Sequence, residues 1–378
     1  MPRKARSVGD LARALAQVAP PSLAADWDNV GLLAGDANSR CERVLLTIDL
    51  TEQVAAEAID LGVHAVVAYH PPLFDPIKRL VRQDPATGAV AALLLKGIAL
   101  LSPHTALDAV SGGINDWLIE GIGDGLIRPL QPSSSLSGHE AFKIVVFTPS
   151  DAVERIRGAM AIAGAGRIGA YSQCSTTTAV EGTFFGSAST RPRVGRRGKL
   201  ERVPELRLEM VCGTKALPAA LEAARSAHPY ETPAIEVHAL AEQPNAFQGQ
   251  GRAVHLSEPQ TTAEIAQRLR RHLPARRLEA ALVRGSESHR HEVVAVCAGA
   301  GMGLMRSALE AGATLFFTGE ARHHEQLAAV RQGCSLLLSG HTISERGYLP
   351  RLAERLARET AGTSFTLSKA DRHLLVDA

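Results

Sequence analysis

Short strand-like apolar runs alternate with helix-like segments at both ends of this 378-residue chain. Near the N-terminus, Ser7 is placed to cap a helix whose Val8, Leu11, Leu15 and Val18 recur at helical spacing until Pro20-Pro21 stops it. The spacing then predicts a strand over 44–48, a helix over 52–61, a strand at Ala65–Ala68, a helix over 90–96 and a strand over 98–101. The C-terminal part repeats the pattern: strand 293–297, helix 304–310, strand 314–317, helix 324–331, strand Ser335–Leu338, helix 345–358 and strand Ser364–Leu367. Strands separated by helices fold into a parallel or mixed sheet covered on both faces, which sets the class as α/β.

Three of the apolar runs end in histidine-bearing segments: Tyr69-His70-Pro71-Pro72, Ser102-Pro103-His104-Thr105-Ala106-Leu107-Asp108, and Ser339-Gly340-His341-Thr342-Ile343-Ser344-Glu345. Open α/β sheets bind their ligands where strands emerge at their carboxyl ends. His104 with Asp108 and His341 with Glu345 are each four residues apart, which puts both members of a pair on one helical face. Imidazole nitrogen together with carboxylate oxygen suits Zn, Fe, Mn or Co better than Ca or Mg. On spacing alone other readings stand beside this one. A lone histidine before proline can be a structural hydrogen-bonder, and Glu345 can be a carboxylate drawn to a helix N-terminus by the macrodipole.

The middle of the chain follows a different order. After the polar stretch 131–138, the pattern predicts strand 142–147, helix 152–163, strands 182–185 and 206–211, helix 216–227 and strand 234–240. That βαββαβ succession is ferredoxin-like. Residues 243–251 read as a return linker, so an α/β domain in two parts, 1–132 and 250–378, is expected to carry an insertion over 139–241.

Composition narrows the functional classes. Lys and Arg number 41 against 39 Asp and Glu, a net charge of +2, which gives no global reason to bind nucleic acid or membrane. The basic stretch 191–199 has no interleaved aromatics and reads as a solvated loop. Five scattered cysteines without a C-x-x-C pair fit reduced, mostly buried thiols. No run approaches the roughly 18 apolar residues of a membrane span, so a cytoplasmic location is expected.

Ala298-Gly-Ala-Gly-Met-Gly-Leu304 follows a strand, but Leu304 stands where a dinucleotide fingerprint needs its third glycine. The loop reads instead as a source of backbone N–H groups for an anionic substrate, with Asp28 and Asn29 lining the same region. His323 and His324 read as solvated or supporting groups, His289 and His291 as parts of a polar turn, and His228 as a shaper of the insertion.

Asp26-Trp27-Asp28-Asn29-Val30-Gly31-Leu32, Tyr69-His70-Pro71-Pro72, Ser102-Pro103-His104-Thr105 with Asp108, Thr318-Gly319-Glu320 and Gly340-His341 with Glu345 together resemble the Nif-three-like family. The likeness runs over essentially the whole chain. It includes an insertion similar to a PII/CutA-like domain through Gly166-Arg-Ile-Gly-Ala-Tyr-Ser-Gln-Cys174, Gly182-Thr-Phe184 and Ala227-His-Pro-Tyr-Glu231.

Members of that family are called GTP cyclohydrolase I type 2 homologues and described as dinuclear-metal hexamers. The resemblance implies a three-layer α/β domain with an inserted ferredoxin-like domain, a homohexamer, a nucleotide-like small-molecule ligand, and one or two divalent ions per chain. It makes His70 and Asp108 ligands of one metal, His341 a ligand of the second and Glu345 the bridge; beside that, the chemistry of the residues themselves offers Glu345 or His104 to shuttle protons. Tyr69, His104 and Glu320 become supporting groups or weak ligands. Tyr69 departs from the His-His-Pro of many bacterial members and is similar to the eukaryotic-type motif; a phenol with a pKa near about 10 is a poor ligand. The activity implied is metal-dependent hydrolysis, with metal delivery or a protein-interaction role as alternatives.

Overall fold

A computed structural model describes residues 3–4, 7–135, 140–241, 243–275 and 277–372. The chain divides into two units, Met1–Ser133 with Asn245–Ala378, and Ser134–Pro244.

The first unit is built on two sheets. In the five-stranded sheet the order is Ser364–Leu367, Arg43–Thr47, Ala65–Ala68, Ala99–Ser102 and Gly31–Ala34, all parallel except the last. In the six-stranded sheet the order is Glu279–Ala281, Ser335–Leu338, Leu315–Thr318, Arg290–Cys297, Gln243–Thr261 and Gly125–Ser135. Its three middle strands, Ser335–Leu338, Leu315–Thr318 and Arg290–Cys297, are parallel, and both Glu279–Ala281 and Gln243–Thr261 pair antiparallel to them.

Ala65–Ala68, Ala99–Ser102, Leu315–Thr318 and Ser335–Leu338 are buried at every position, as strands covered on both faces must be. Leu45, Val66 and Leu100 pack outward on the helices Glu52–Asp60 and Gly88–Leu95. Phe316, Ala295 and Leu336 do the same on Met305–Glu310 and His323–Arg331. The inward faces of both sheets, through Val44, Val67, Leu101, Val294, Phe317 and Leu337, share one core with the helices Val8–Val18, Ile114–Glu120, Thr262–His272 and Leu349–Glu359. Each sheet is thus the middle of three layers, and the central helical layer serves both.

The first helix starts as its sequence dictates: Ser7 accepts a hydrogen bond from Asp10 N, and the Asp10 carboxylate answers to the Ser7 backbone. Arg252, fully buried, donates to Asp116 at 2.5 Å and to the carbonyls of Ala109, Val110 and Gly249, tying the two parts of this unit together.

Several expectations need correction. The stretch 243–251 is the start of the long strand Gln243–Thr261 rather than a linker. Its glycines misled the reading, yet Gly249 is required there, since a Cβ would lie 2.1 Å from the Gln131 carbonyl oxygen. The helix expected over 345–358 is two, Ile343–Arg346 and Leu349–Glu359. Pro350 has no N–H for the residue 346 carbonyl and is tolerated only in a first turn, so a new helix has to begin just before it. His291 is not in a turn but buried on Arg290–Cys297, between the hydroxyls of Thr262 and Thr314 at 2.9 and 2.8 Å.

In the second unit the order of elements is Phe142–Thr148, Val153–Ile162, Thr176–Phe185, Leu200–Cys212, Leu217–Ala227 and Ile235–Ala239. The four strands form an antiparallel sheet with Phe142–Thr148 and Leu200–Cys212 at the centre. Ile144, Val146, Leu208 and Met210 pack on Ile156, Met160, Ala220 and Ala224 of the two helices. This is the ferredoxin-like arrangement. His228 does shape it, meeting the Phe147 carbonyl at 2.9 Å and accepting from Tyr230 N at 3.1 Å.

Candidate metal centre

Because the strands of each parallel set run the same way, their carboxyl ends deliver residues to one edge. From the first sheet come Asp49 after Arg43–Thr47, Tyr69 and His70 after Ala65–Ala68, and His104 after Ala99–Ser102. From the second come Gly299 after Arg290–Cys297, Glu320 after Leu315–Thr318 and His341 after Ser335–Leu338. The two edges meet: the rings of His70 and His341 have centroids 5.3 Å apart.

Between them stands Glu345, only 2 % exposed. Its Oε1 lies 3.3 Å from His341 Nε2, and its Oε2 lies 3.5 Å from His70 Nε2. Oε2 is buried without a hydrogen bond of normal geometry, an expensive state for a carboxylate oxygen unless a further ligand completes it. One ligand atom from each of His70, His341 and Glu345 lies within 4.8 Å of the others, as a shared cation requires. These residues fit a divalent ion.

Each histidine is oriented from behind. His70 Nδ1 is 2.8 Å from Asp49, His341 Nδ1 is 2.9 Å from Glu320, and His104 Nδ1 is 2.7 Å from Asp28. An ionised carboxylate only accepts, so Nδ1 carries the proton in all three rings, and Nε2 is the nitrogen left for chemistry. For His70, burial lowers the pKa, but the neighbouring carboxylates of Asp49 and Glu345 outweigh it and raise it to about 10. For His341, the hydrogen bond to Glu345 dominates over burial and raises it to about 9. Burial pushes Glu345 up, but its interactions with His341 and His70 hold it below the ordinary carboxylate value. Without an ion the two imidazoles hold protons in a pocket of acids, where a cation would replace them.

Asp108 and His104 lie beside this group, each with a partner of its own. The Tyr69 hydroxyl donates to Asp108 Oδ1 at 2.5 Å. Burial raises Asp108 to about 6, and burial together with Asp108 raises the phenol well above its ordinary value, so Tyr69 stays protonated. His104 opens the helix His104–Ala109 with φ of 28°, a backbone conformation costly for a residue with a side chain. Asp28 fixes it there by also accepting from the Thr105 backbone at 3.0 Å and from the Thr105 hydroxyl.

Gly299, at φ of 62°, faces the group directly; a Cβ would lie 2.6 Å from Glu345 Oε1 and 3.0 Å from His341 Nε2. Three of the N–H groups of the loop it belongs to are already taken. The N–H groups of Ala298, Gly299 and Gly301 are already bonded to Asn115, Ser344 and Thr318, so they are not on offer to an anion. His323 and His324 are exposed at a helix start. Asp49 escaped the sequence reading, although it too directly follows an apolar run.

The family model for Duf34/NIF3 (NGG1p interacting factor 3) matches residues 6–373. The chain belongs to the Duf34/NIF3 family. It is 34% identical over 327 residues to the GTP cyclohydrolase 1 type 2 homolog of Halalkalibacterium halodurans, covering 86% of each chain. It is 30% identical over 358 residues to the protein of the same name from Bacillus subtilis, covering 94% of each. Among solved structures it is similar to a Bacillus cereus protein related to NIF3, with a TM-score of 0.72 and 29% identity over 99% of this chain and 100% of that one. A Staphylococcus aureus protein shares the fold, with a TM-score of 0.79 at 22% identity over 98% and 99% of the two chains. In this Duf34/NIF3 chain, no helix among the described residues is long and apolar enough to cross a membrane.

Proposed function

We propose that this chain is a metal-dependent hydrolase acting on a nucleotide-like substrate, with the metal held by His70, His341 and Glu345. The observation that carries the reading is the buried, incompletely bonded Glu345 carboxylate placed between two imidazole Nε2 atoms. The relatives' name, GTP cyclohydrolase 1 type 2 homolog, supports the substrate class.

Asp49 and Glu320 hold the two ligand rings with Nε2 forward, and Glu345 offers one oxygen toward each. When bound, a divalent ion such as Zn, Fe, Mn or Co supplies Lewis acidity and brings the pKa of water toward neutrality. His104, its Nδ1–H held by Asp28, presents Nε2 to receive a proton from water and return it to a leaving group. Asp108 is engaged by Tyr69 in this arrangement, which favours a single tightly held ion. We extend the proposal to a cytoplasmic homohexamer on the family resemblance; sedimentation of the purified protein tests the assembly.

Elemental analysis of untreated protein is expected to give about one ion per chain, falling to near zero in His341→Ala and Glu345→Gln as unpaired ligands are removed. Metal-dependent consumption of GTP or another nucleotide should disappear with it. A full metal complement with no turnover across a nucleotide panel would replace the hydrolase reading with metal delivery.

A further inference from the structure

Beside the metal group the surface carries an unusual pair of rings. Trp27 is 62 % exposed and Phe74 is 45 % exposed, and their centroids are 5.7 Å apart at an interplanar angle of 50°. Leaving two large apolar side chains in water is unfavourable, and exposed patches of this kind mark places where something binds.

The rings are exposed, but the backbone beneath them is fastened. On the Trp27 side, Asp28 accepts from the Thr105 backbone, Ala25 N donates to the Thr105 hydroxyl at 3.0 Å, and Asp28 N donates to the Ala25 carbonyl at 2.9 Å. Asn29 then bridges to the other ring's segment, donating from Nδ2 to the Leu73 carbonyl at 2.5 Å. A residue on each side of the pair is therefore pinned to the other, and the rings are held out together.

Their position is directional. His104 stands edge-on to both, with centroids 6.1 Å from Trp27 and 6.4 Å from Phe74, and is itself 5.4 Å from His70. The rings form a continuous path from the exposed pair through His104 to the ligand group. Asp28 links its two ends, because the same carboxylate that anchors the Trp27 segment orients His104.

We propose that Trp27 and Phe74 receive a planar aromatic ring of the substrate, one of them stacking on its face and the other, tilted 50° to the first, closing against its edge, with His104 beside it and the bond to be broken toward His70. The inference rests on the reading of the neighbouring group as a reaction centre. Every base has a π-face, and stacking on an aromatic side chain tolerates ring identity, so the platform selects for flat rings over saturated ones.

Binding can be measured without metal, which separates this proposal from the hydrolase reading. In EDTA-treated full-length protein, equilibrium dialysis should show adenosine and guanosine bound, and ribose not bound. Removing either ring, Trp27→Leu or Phe74→Leu, should weaken nucleoside binding, by about 10-fold or more for the one that stacks, and Trp27→Tyr should weaken it less than Trp27→Leu. Because Trp117 is only 6 % exposed, a Trp117→Phe protein should keep a saturable nucleoside-dependent quench from Trp27 alone. Both rings are on the surface, so circular dichroism and thermal unfolding of the leucine variants should match the parent. Nucleosides binding no better than ribose, or equally well to both leucine variants, would overturn the platform. So would a loss of self-association in Trp27→Leu without a change in nucleoside binding, which would assign the rings to a subunit contact. His341→Ala should lose metal yet keep nucleoside binding.

Discussion

At the scale of single residues, Tyr69 is the side chain on which, in the proposed reading, the number of ions turns. Its hydroxyl occupies Asp108, so one side chain both withholds a ligand of its own and engages a second. Replacing it, Tyr69→His, is expected to free Asp108, add an imidazole and raise the metal content above that of the parent; elemental analysis of both proteins checks it. The two ligand histidines make a second expectation. With His70 raised to about 10 and His341 to about 9, the metal-free protein holds protons on both rings at neutral pH. Metal must displace them, so uptake should release protons, and apparent affinity should climb as pH rises toward those values. An indicator dye in weak buffer measures the release directly. His70, His341 and Glu345 were legible in the sequence because each stands just past an apolar run or one helical turn beyond. Asp49 was not, since a lone acid after a strand has no spacing partner to give it away, and its meaning comes only from the His70 ring across the sheet edge.

At the scale of elements, many strands and helices of regular apolar period were readable to within a residue or two, Ala65–Ala68 and Ser335–Leu338 to the residue, whereas the strands expected over 182–185 and 206–211 begin six residues earlier, at Thr176 and Leu200, and the one expected over 293–297 begins at Arg290. Among the elements that escaped are the capped helix Thr262–His272 and several strands whose stability comes from neighbours. Gly31–Ala34 and Glu279–Ala281 are short edge strands held by a single partner, and Gln243–Thr261 begins in a polar, glycine-containing stretch. Local composition says little where pairing supplies the hydrogen bonds. The strand Arg290–Cys297 carries a consequence in His291, which burial and the nearby His289 lower from 6.5 to about 4. It is neutral in the folded chain, whereas an unfolded histidine binds a proton below about 6.5. The unfolded state therefore takes up more protons between those values, and stability falls as pH drops through that window. The loss from this residue between pH 7 and pH 5 should be about 2 kcal/mol. Urea unfolding of the parent and of His291→Gln at both pH values should show a smaller acid loss in the variant by about that amount.

At the scale of the whole molecule, the first unit is interrupted by the second at two points that lie side by side, for Ser133 Oγ donates to the Gln248 carbonyl at 3.2 Å. Excising Ser134–Pro244 and closing the gap with a few glycines should leave the first unit folded and its metal content unchanged, measured by cooperative thermal unfolding and elemental analysis; a molten product would show that the second unit is needed for folding. The chain order of the centre has a different consequence. His70 is made early, His341 and Glu345 late, and the five-stranded sheet that presents His70 is completed at one edge by Ser364–Leu367, paired in parallel with Arg43–Thr47. Asp371 reinforces that closure, accepting from Ile48 N at 2.7 Å beside the strand end that leads to Asp49. A ribosome therefore releases the first imidazole some 270 residues before its partners, by the difference between positions 70 and 341. On the proposed reading, a nascent chain that has exposed only His70 holds one of the three ligands, so the ion is expected to be bound after the segment carrying His341 and Glu345 has been made.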